Sequence, residues 1–397
     1  MKLNAAVAAV LAFSSLSMSS LPAMATAAAA PMASPAATAV DHKAVAQHHA
    51  TLVHASYSDT LAAAQDMQAA IATFLKAPSA EGLDKARQAW REAREFYGQT
   101  EAFRFYGGPI DDQNGPEGQI NAWPLDEAYV DYVEGKPKAG LVNNTKVRIT
   151  KAALVKANER GGEENISAGW HAIEFLLWGQ DLSETGAGTR SFEDYVVGKG
   201  TNADRRGQYL TVATQLLVDD LSGLVKAWAP GAKNYRAQFE KGGKESVRKM
   251  IVGLGSLSRG ELSGERMEVA LNSQDQEDEH SCFSDNTHRD VVTNAKGIQN
   301  VWLGQYQQRN GKTLTGLGLR DLVAAKDAAL ADKTTAQINA SVTGAEAIPA
   351  PFDQAIAKGS AGRPAIEKTV ASLVAQSKLL VESASAVGIT RLTLVAP

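Results

Sequence analysis

Apolar residues recur with helical spacing almost everywhere from residue 41 onward, and this feature narrows the fold more than any other. Ala86, Trp90, Ala93 and Tyr97 stand at i, i+4, i+7 and i+11. Ala213, Leu217, Leu221, Leu224 and Trp228 repeat the pattern, as do Ile366, Val370, Leu373, Ser377 and Leu380. Stripes of this kind bury one face of a helix against its neighbours. No segment alternates β-branched residues at period two. The pattern predicts an all-α protein built as two helical-bundle domains packed against each other.

Helix breakers divide the chain. A length of 397 residues suits two domains. Pro230-Gly231 followed by Gly242-Gly243 marks the boundary, giving an N-terminal bundle over 41–232 and a C-terminal bundle over 233–397. A long polar loop runs from Gly107-Gly108-Pro109 to Trp123-Pro124, and loops of that length inside compact domains tend to be functional or mobile. A glycine-rich stretch from Gly311 to Gly318 separates helices in the second half. The formal net charge of -4 offers no basic footprint for nucleic acid and no polybasic patch for a membrane surface.

The first forty residues differ in kind. Lys2 supplies a minimal positive region, Ala5 to Leu16 an apolar stretch, and Pro22-Ala23-Met24-Ala25 a small-residue cleavage site. Residues 1–25 therefore read as a signal peptide, and 26–40 as a flexible Ala/Pro/Ser-rich lead. The expected location is periplasmic or associated with the outer envelope, with no transmembrane span in the mature chain. The lone cysteine, Cys282, excludes an intramolecular disulfide. It reads as a small core residue rather than a redox group.

Three groups of residues could carry chemistry. In Gly169-Trp170-His171-Ala172-Ile173-Glu174-Phe175-Leu176-Leu177-Trp178-Gly179, a helix places His171 and Glu174 one turn apart on one side. An imidazole and a carboxylate at that spacing can reach one cation, or can simply bond to each other. The setting is too apolar for a solvated face, so both groups need partners. Glu101 and Arg104 extend the face of Ala93 and Tyr97, either as an intrahelical pair or as a carboxylate aimed into a site. Asp126 and Glu127 open the next helix, where acids serve as caps or as ligands. In the acid-rich segment 274–290, Asp285, His288, Val292, Ala295, Ile298 and Trp302 share a helical stripe that turns Asp285 and His288 inward.

The G-x-H-A-I-E-F-L-L-W-G and E-H-S-C-F-S-D-N-T-H segments resemble the imelysin family. The resemblance extends over about residues 41–390. Its members are exported proteins classed with an insulin-cleaving metallopeptidase and related to a periplasmic ferrous-iron uptake component. It implies two helical bundles with Gly169, His171 and Glu174 near their interface, and it carries Glu101, His280, Asp285 and His288 over as matched family positions. The expected metal set is His171, Glu174, Glu101 and Asp126. His280, Asp285, His288 and Arg104 form an additional candidate site. Iron is the expected metal, with an envelope iron-uptake protein as partner. Zinc peptidase chemistry is the alternative, and a non-catalytic helical adaptor the second alternative. No H-E-x-x-H or H-x-x-E-H motif supplies a catalytic base. Many relatives are lipid-anchored, and this chain lacks the cysteine for that.

Overall fold

Two side chains launch the first pair of helices. Asp41 accepts a hydrogen bond from the Ala44 amide and starts α1 (His42–Lys76), and Ser79 accepts one from Gly82 and starts α2 (Ala80–Thr100). Longer helices follow as α3 (Gly169–Trp178), α4 (Ala203–Ala227), α5 (Lys244–Ser256), α6 (Thr287–Leu303), α7 (Ala328–Glu346) and α8 (Arg363–Ala386). The computed structural model describes residues 40–183 and 185–395. The expected signal peptide, and the lead before Val40, lie outside them.

The stripes read from sequence are the buried faces. Ala86, Trp90, Ala93 and Tyr97 are fully buried on α2, and Ile366, Leu373 and Leu380 on α8. α1 packs between α2 and α4, and α7 against α8. The only strands among the described residues are a hairpin, Gln305–Gln307 with Thr313–Thr315, so the glycine-rich stretch at 311–318 forms a β-turn unit between α6 and α7. The all-α expectation holds.

The expected division near residue 232 does not separate two bundles. The described residues from Val40 onward form one compact unit, because α5 packs on α1 and α6 packs on α2 across that boundary. The contact of α6 with α2 is unusually close at Gly297. A Cβ there would lie 3.0 Å from the Gln99 carbonyl carbon. Directly after α5 the chain winds into a π-helix, Leu257–Glu268. Its i→i+5 geometry stacks Glu261 and Arg266, which an α-helix would point apart, and Arg266 Nη2 donates to Glu261 Oε1 at 2.7 Å.

Candidate functional site

All ten residues of α3 are buried, and its start is set by Gly169, whose φ is +83°. A side chain at that position would place its Cβ 2.6 Å from the Gln119 carbonyl oxygen and closer still to that of Ile120. Glycine is required there so that the loop carrying Asn121 can lie against the first turn of α3. Gly179, at φ +74°, ends the helix.

His171 and Glu174 meet across one turn of α3, with Nδ1 to Oε2 at 2.9 Å. The other carboxylate oxygen of Glu174 accepts from the Ser284 amide at 3.0 Å and from its hydroxyl at 2.6 Å. Burial pushes the Glu174 carboxyl up to about 8, against the pull of those Ser284 hydrogen bonds. Burial also holds His171 well below the usual imidazole range. Its Nε2 is buried without a hydrogen-bond partner. When the pair gives up a proton, Nδ1–H faces the carboxylate and Nε2 offers a lone pair.

A second imidazole repeats this arrangement. His280 Nδ1 lies 3.1 Å from Asp290 Oδ2, and the Ser281 hydroxyl donates to the same oxygen at 2.5 Å. Burial opposes ionisation of Asp290, but Arg94 and His280 outweigh it and hold the carboxyl well below its usual range. Burial lowers His280 to about 3, so the ring is neutral. With Asp290 taking the Nδ1 proton, Nε2 is an acceptor, and it meets the Asn121 amide nitrogen at 3.4 Å. The two rings stand 4.8 Å apart between centroids. Each imidazole is therefore backed by a carboxylate, and each carboxylate by a serine.

Arginines fix the surroundings. Arg94 is fully buried and donates to Asp290 Oδ1 at 3.2 Å and to Asn121 Oδ1 at 2.7 Å. Trp90, Tyr97 and Trp170 surround its guanidinium, at 5.6, 5.3 and 5.7 Å from their ring centroids. Glu101 follows the end of α2 in a single 3₁₀ turn, Glu101–Phe103. Its Oε2 accepts from Arg104 at 2.6 Å and from Arg266 at 2.7 Å, so the expected Glu101–Arg104 pair exists and gains a second arginine. Burial opposes ionisation of Glu101, yet the two guanidiniums keep its carboxyl far below the usual range.

A cavity of about 300 Å³ opens beside this centre. His280, Asn121, Arg104 and Arg266 line it together with Trp123, Pro124 and Glu117. The polar loop picked out between Gly107 and Pro124 supplies four of these residues. Trp123 also donates its indole N–H to the Glu279 carbonyl at 2.7 Å and stacks edge-on to His280 at 5.7 Å.

The structure brings His171, Glu174, Glu101, Arg104 and His280 together. It does not bring the rest. Asp126 is exposed and caps the short helix Glu127–Val130 by accepting from the Ala128 amide at 2.9 Å. Asp285 is not on the stripe of α6, since that helix starts only at Thr287 and Asp285 sits before it with φ +54°. His288 is half-buried, with Nδ1 against the Asp285 carbonyl at 3.2 Å. Sequence reasoning missed Arg94, Asn121, Arg266, Ser281, Ser284 and Asp290. Arg94 did leave a signal, because Trp90, Arg94, Tyr97 and Glu101 fall at i, i+4, i+7 and i+11.

Among the described residues, no three His, Cys, Asp or Glu side chains already stand at spacing fit for a metal ion. The centre supplies two imidazoles with carboxylate support, which is half of a closed tetrahedral set. The donors fit a transition metal that keeps open positions; they do not fit a closed structural zinc site.

Residues 53–380 match the imelysin family, Peptidase M75. A curated relative, iron-regulated protein A of Synechococcus elongatus, is 29% identical over 260 residues, which is 63% of this chain and 61% of the relative. The chain therefore spans less than two thirds of that relative's length. A crystal structure described as an iron-regulated protein A precursor from Parabacteroides distasonis superposes with a TM-score of 0.68 at 18% identity, covering 88% of this chain and 96% of the other. An imelysin-like protein from Psychrobacter arcticum gives 0.63 at 14% identity, with the same coverage. Both structures share the fold. With the G-x-H-x-x-E segment at the heart of the buried centre and the family match spanning most of its length, the chain belongs to the imelysin family.

Proposed function

We propose that this protein binds a transition metal between His171 and His280 and handles iron in the bacterial cell envelope. The observation that carries the reading is the paired construction of the two imidazoles. Each has Nδ1 on a buried, serine-held carboxylate, which leaves Nε2 as the coordinating nitrogen. Satisfying an imidazole in a core takes one carboxylate. Two such systems 4.8 Å apart, one with an unpartnered Nε2, make a structural hydrogen-bond network a poor account of the cost.

Iron is favoured over zinc on two grounds. Two of the relatives, the curated Synechococcus elongatus protein and the Parabacteroides distasonis structure, carry the name iron-regulated protein A. A zinc peptidase would also need a general base free to act on water. Within the buried centre, Glu101 is committed to Arg104 and Arg266, Glu174 stands behind His171, and Glu117 and Glu261 are bound to Arg104 and Arg266, which leaves Glu159 and Glu163, exposed on the cavity wall, outside an ion pair. The residues' own tasks follow from this layout. His171 and His280 bind, Glu174 and Asp290 orient them, and Arg94 and Asn121 fix Asp290 and the loop. The cavity beside Trp123 is the route by which a cation reaches His280.

Elemental analysis tests the reading. Protein purified without a polyhistidine tag, from cells grown with iron and zinc, should carry iron, and His280→Ala should lose it. A preparation free of metal after growth in both would overturn the proposal. Iron binding is expected without cleavage of an unfolded protein substrate.

A further inference from the structure

Both arginines on the wall of the cavity beside His280 are already taken. Arg104 pairs with Glu101 and Glu117, and Arg266 with Glu101 and Glu261. Glu159 and Glu163 line the same cavity, are exposed, and among the described residues enter no ion pair. Arg160, next to Glu159 in the chain, is not on that wall.

Backbone contacts, rather than a counter-ion, hold Glu159 at the opening. Its amide donates to the Asn165 carbonyl at 2.9 Å, and its φ is +58°. Asn158, just before it, donates to the Gly118 carbonyl at 2.7 Å and fastens this turn to the loop that carries Glu117 and Asn121. The Glu159 carboxylate lies on Gly118, where a Cβ would stand 2.9 Å from Oε1 and 3.7 Å from Oε2. A left-handed backbone is costly for glutamate, whereas an acid that only kept the surface soluble would need no fixed place. Behind the opening lies a sign of a cation that owes nothing to these acids. His280, 2% exposed, lines the cavity, and His171, its ring 4.8 Å away, has an Nε2 buried without a partner.

We propose that Glu159 and Glu163 are the capture residues of the imidazole site: they draw a hydrated metal cation to the cavity mouth and pass it inward to His280. The inference rests on the metal reading above and adds the residues that set how fast the cation arrives. Unpaired carboxylates at the mouth of a cleft with low-dielectric walls concentrate cations there. Being exposed, these two act on the ion through its water shell. They therefore speed association and leave the bound state to the imidazoles, as charges at the rim of a binding site do.

Stopped-flow mixing of the full mature chain with ferrous ammonium sulfate, kept anaerobic, tests this. Tryptophan fluorescence reports binding, since Trp123 stands 5.7 Å from His280. The comparison uses wild type, Glu159→Gln/Glu163→Gln, and Glu81→Gln/Asp84→Asn, which removes the same charge at the far end of α2. Thermal melts confirm folding, and Glu163→Gln alone replaces the first variant if that fails to fold. Association should slow about threefold or more in the Glu159/Glu163 variant at ~10 mM ionic strength, and the difference should fade near ~1 M salt, where the Debye length is only about 3 Å. Dissociation should be unchanged, and the Glu81/Asp84 variant should match wild type. Equal association rates in the Glu159/Glu163 variant and wild type at low salt would overturn the inference. Equal slowing in the Glu81/Asp84 variant would do so too, by reducing the effect to net charge. Faster dissociation with unchanged association would overturn it by making the acids ligands of the bound ion. Wild type that binds no iron would overturn the metal reading and this inference with it, an outcome set apart because every variant would then be silent.

Discussion

His171 and His280 come from helix and loop segments more than a hundred residues apart, yet their rings meet at 4.8 Å with an interplanar angle of 63°. His171 is aimed by Glu174 and Ser284, and His280 by Asp290 and Ser281, so Ser281 and Ser284, from one short segment, brace both imidazoles.

Asp290 is the residue whose loss should harm the fold most. Removing it leaves Arg94 charged, fully buried and without its carboxylate. Asp290→Ala should cost ~3–5 kcal/mol, the range for breaking one partner from a buried ion pair. Asp290→Asn keeps an acceptor for Arg94 and should cost less. Urea denaturation checks both, and equal stability of wild type and Asp290→Ala would contradict the assignment.

Gly169 should not tolerate alanine. The substitution demands a left-handed backbone from an L-residue, about 1–2 kcal/mol, and adds overlap with the Ile120 carbonyl. Gly169→Ala should therefore melt lower than wild type. It should also bind metal more weakly, because relief of the overlap moves the loop that positions Asn121. A melting temperature within a degree of wild type would show that the close approach is not real.

Glu127 makes stability depend on pH. Burial, with Glu277 nearby, pushes its carboxyl up from 4.5 to about 8, so the fold favours the neutral acid. That contribution is fully present below the unfolded value and is lost as pH rises through about 8. In metal-free buffer, wild type should lose stability relative to Glu127→Gln between pH 6 and 9. The relative change should be on the order of 1 kcal/mol, below the full proton linkage because water reaches part of the group. A difference between the two proteins that stays constant across that range would refute the assignment.

Much of this was legible in the sequence. The stripes on α2, α4 and α8 are buried where their spacing placed them, and His171 and Glu174 face one side of α3. Glu101 and Arg104 pair although the helix stops at Thr100, because a 3₁₀ turn keeps them close. The misses have local causes. The stripe through Val292 and Ala295 does not reach Asp285, because α6 starts only at Thr287. Arg266 stands on a π-helix, where a 3.6-residue template points side chains the wrong way. Asn121 belongs to a loop whose place is set by contact with Gly169, and no periodicity reports such contacts. Asp126 has the spacing of a ligand and the work of a helix cap.

The central claim is that the two imidazoles form one metal site, and thermal melts of wild type, His171→Ala and His280→Ala test it most directly. Each protein is melted without metal and with ferrous iron, ferric iron and zinc under matched conditions, ferrous samples being kept anaerobic. The account predicts that an iron salt raises the wild-type melting temperature most and that this rise disappears in both variants. A ligand at a hundred times its Kd adds about 2.7 kcal/mol, well within reach of the measurement. A wild-type melting temperature that no metal raises, with both variants melting lower throughout, would show instead that His171 and His280 only complete a structural hydrogen-bond network.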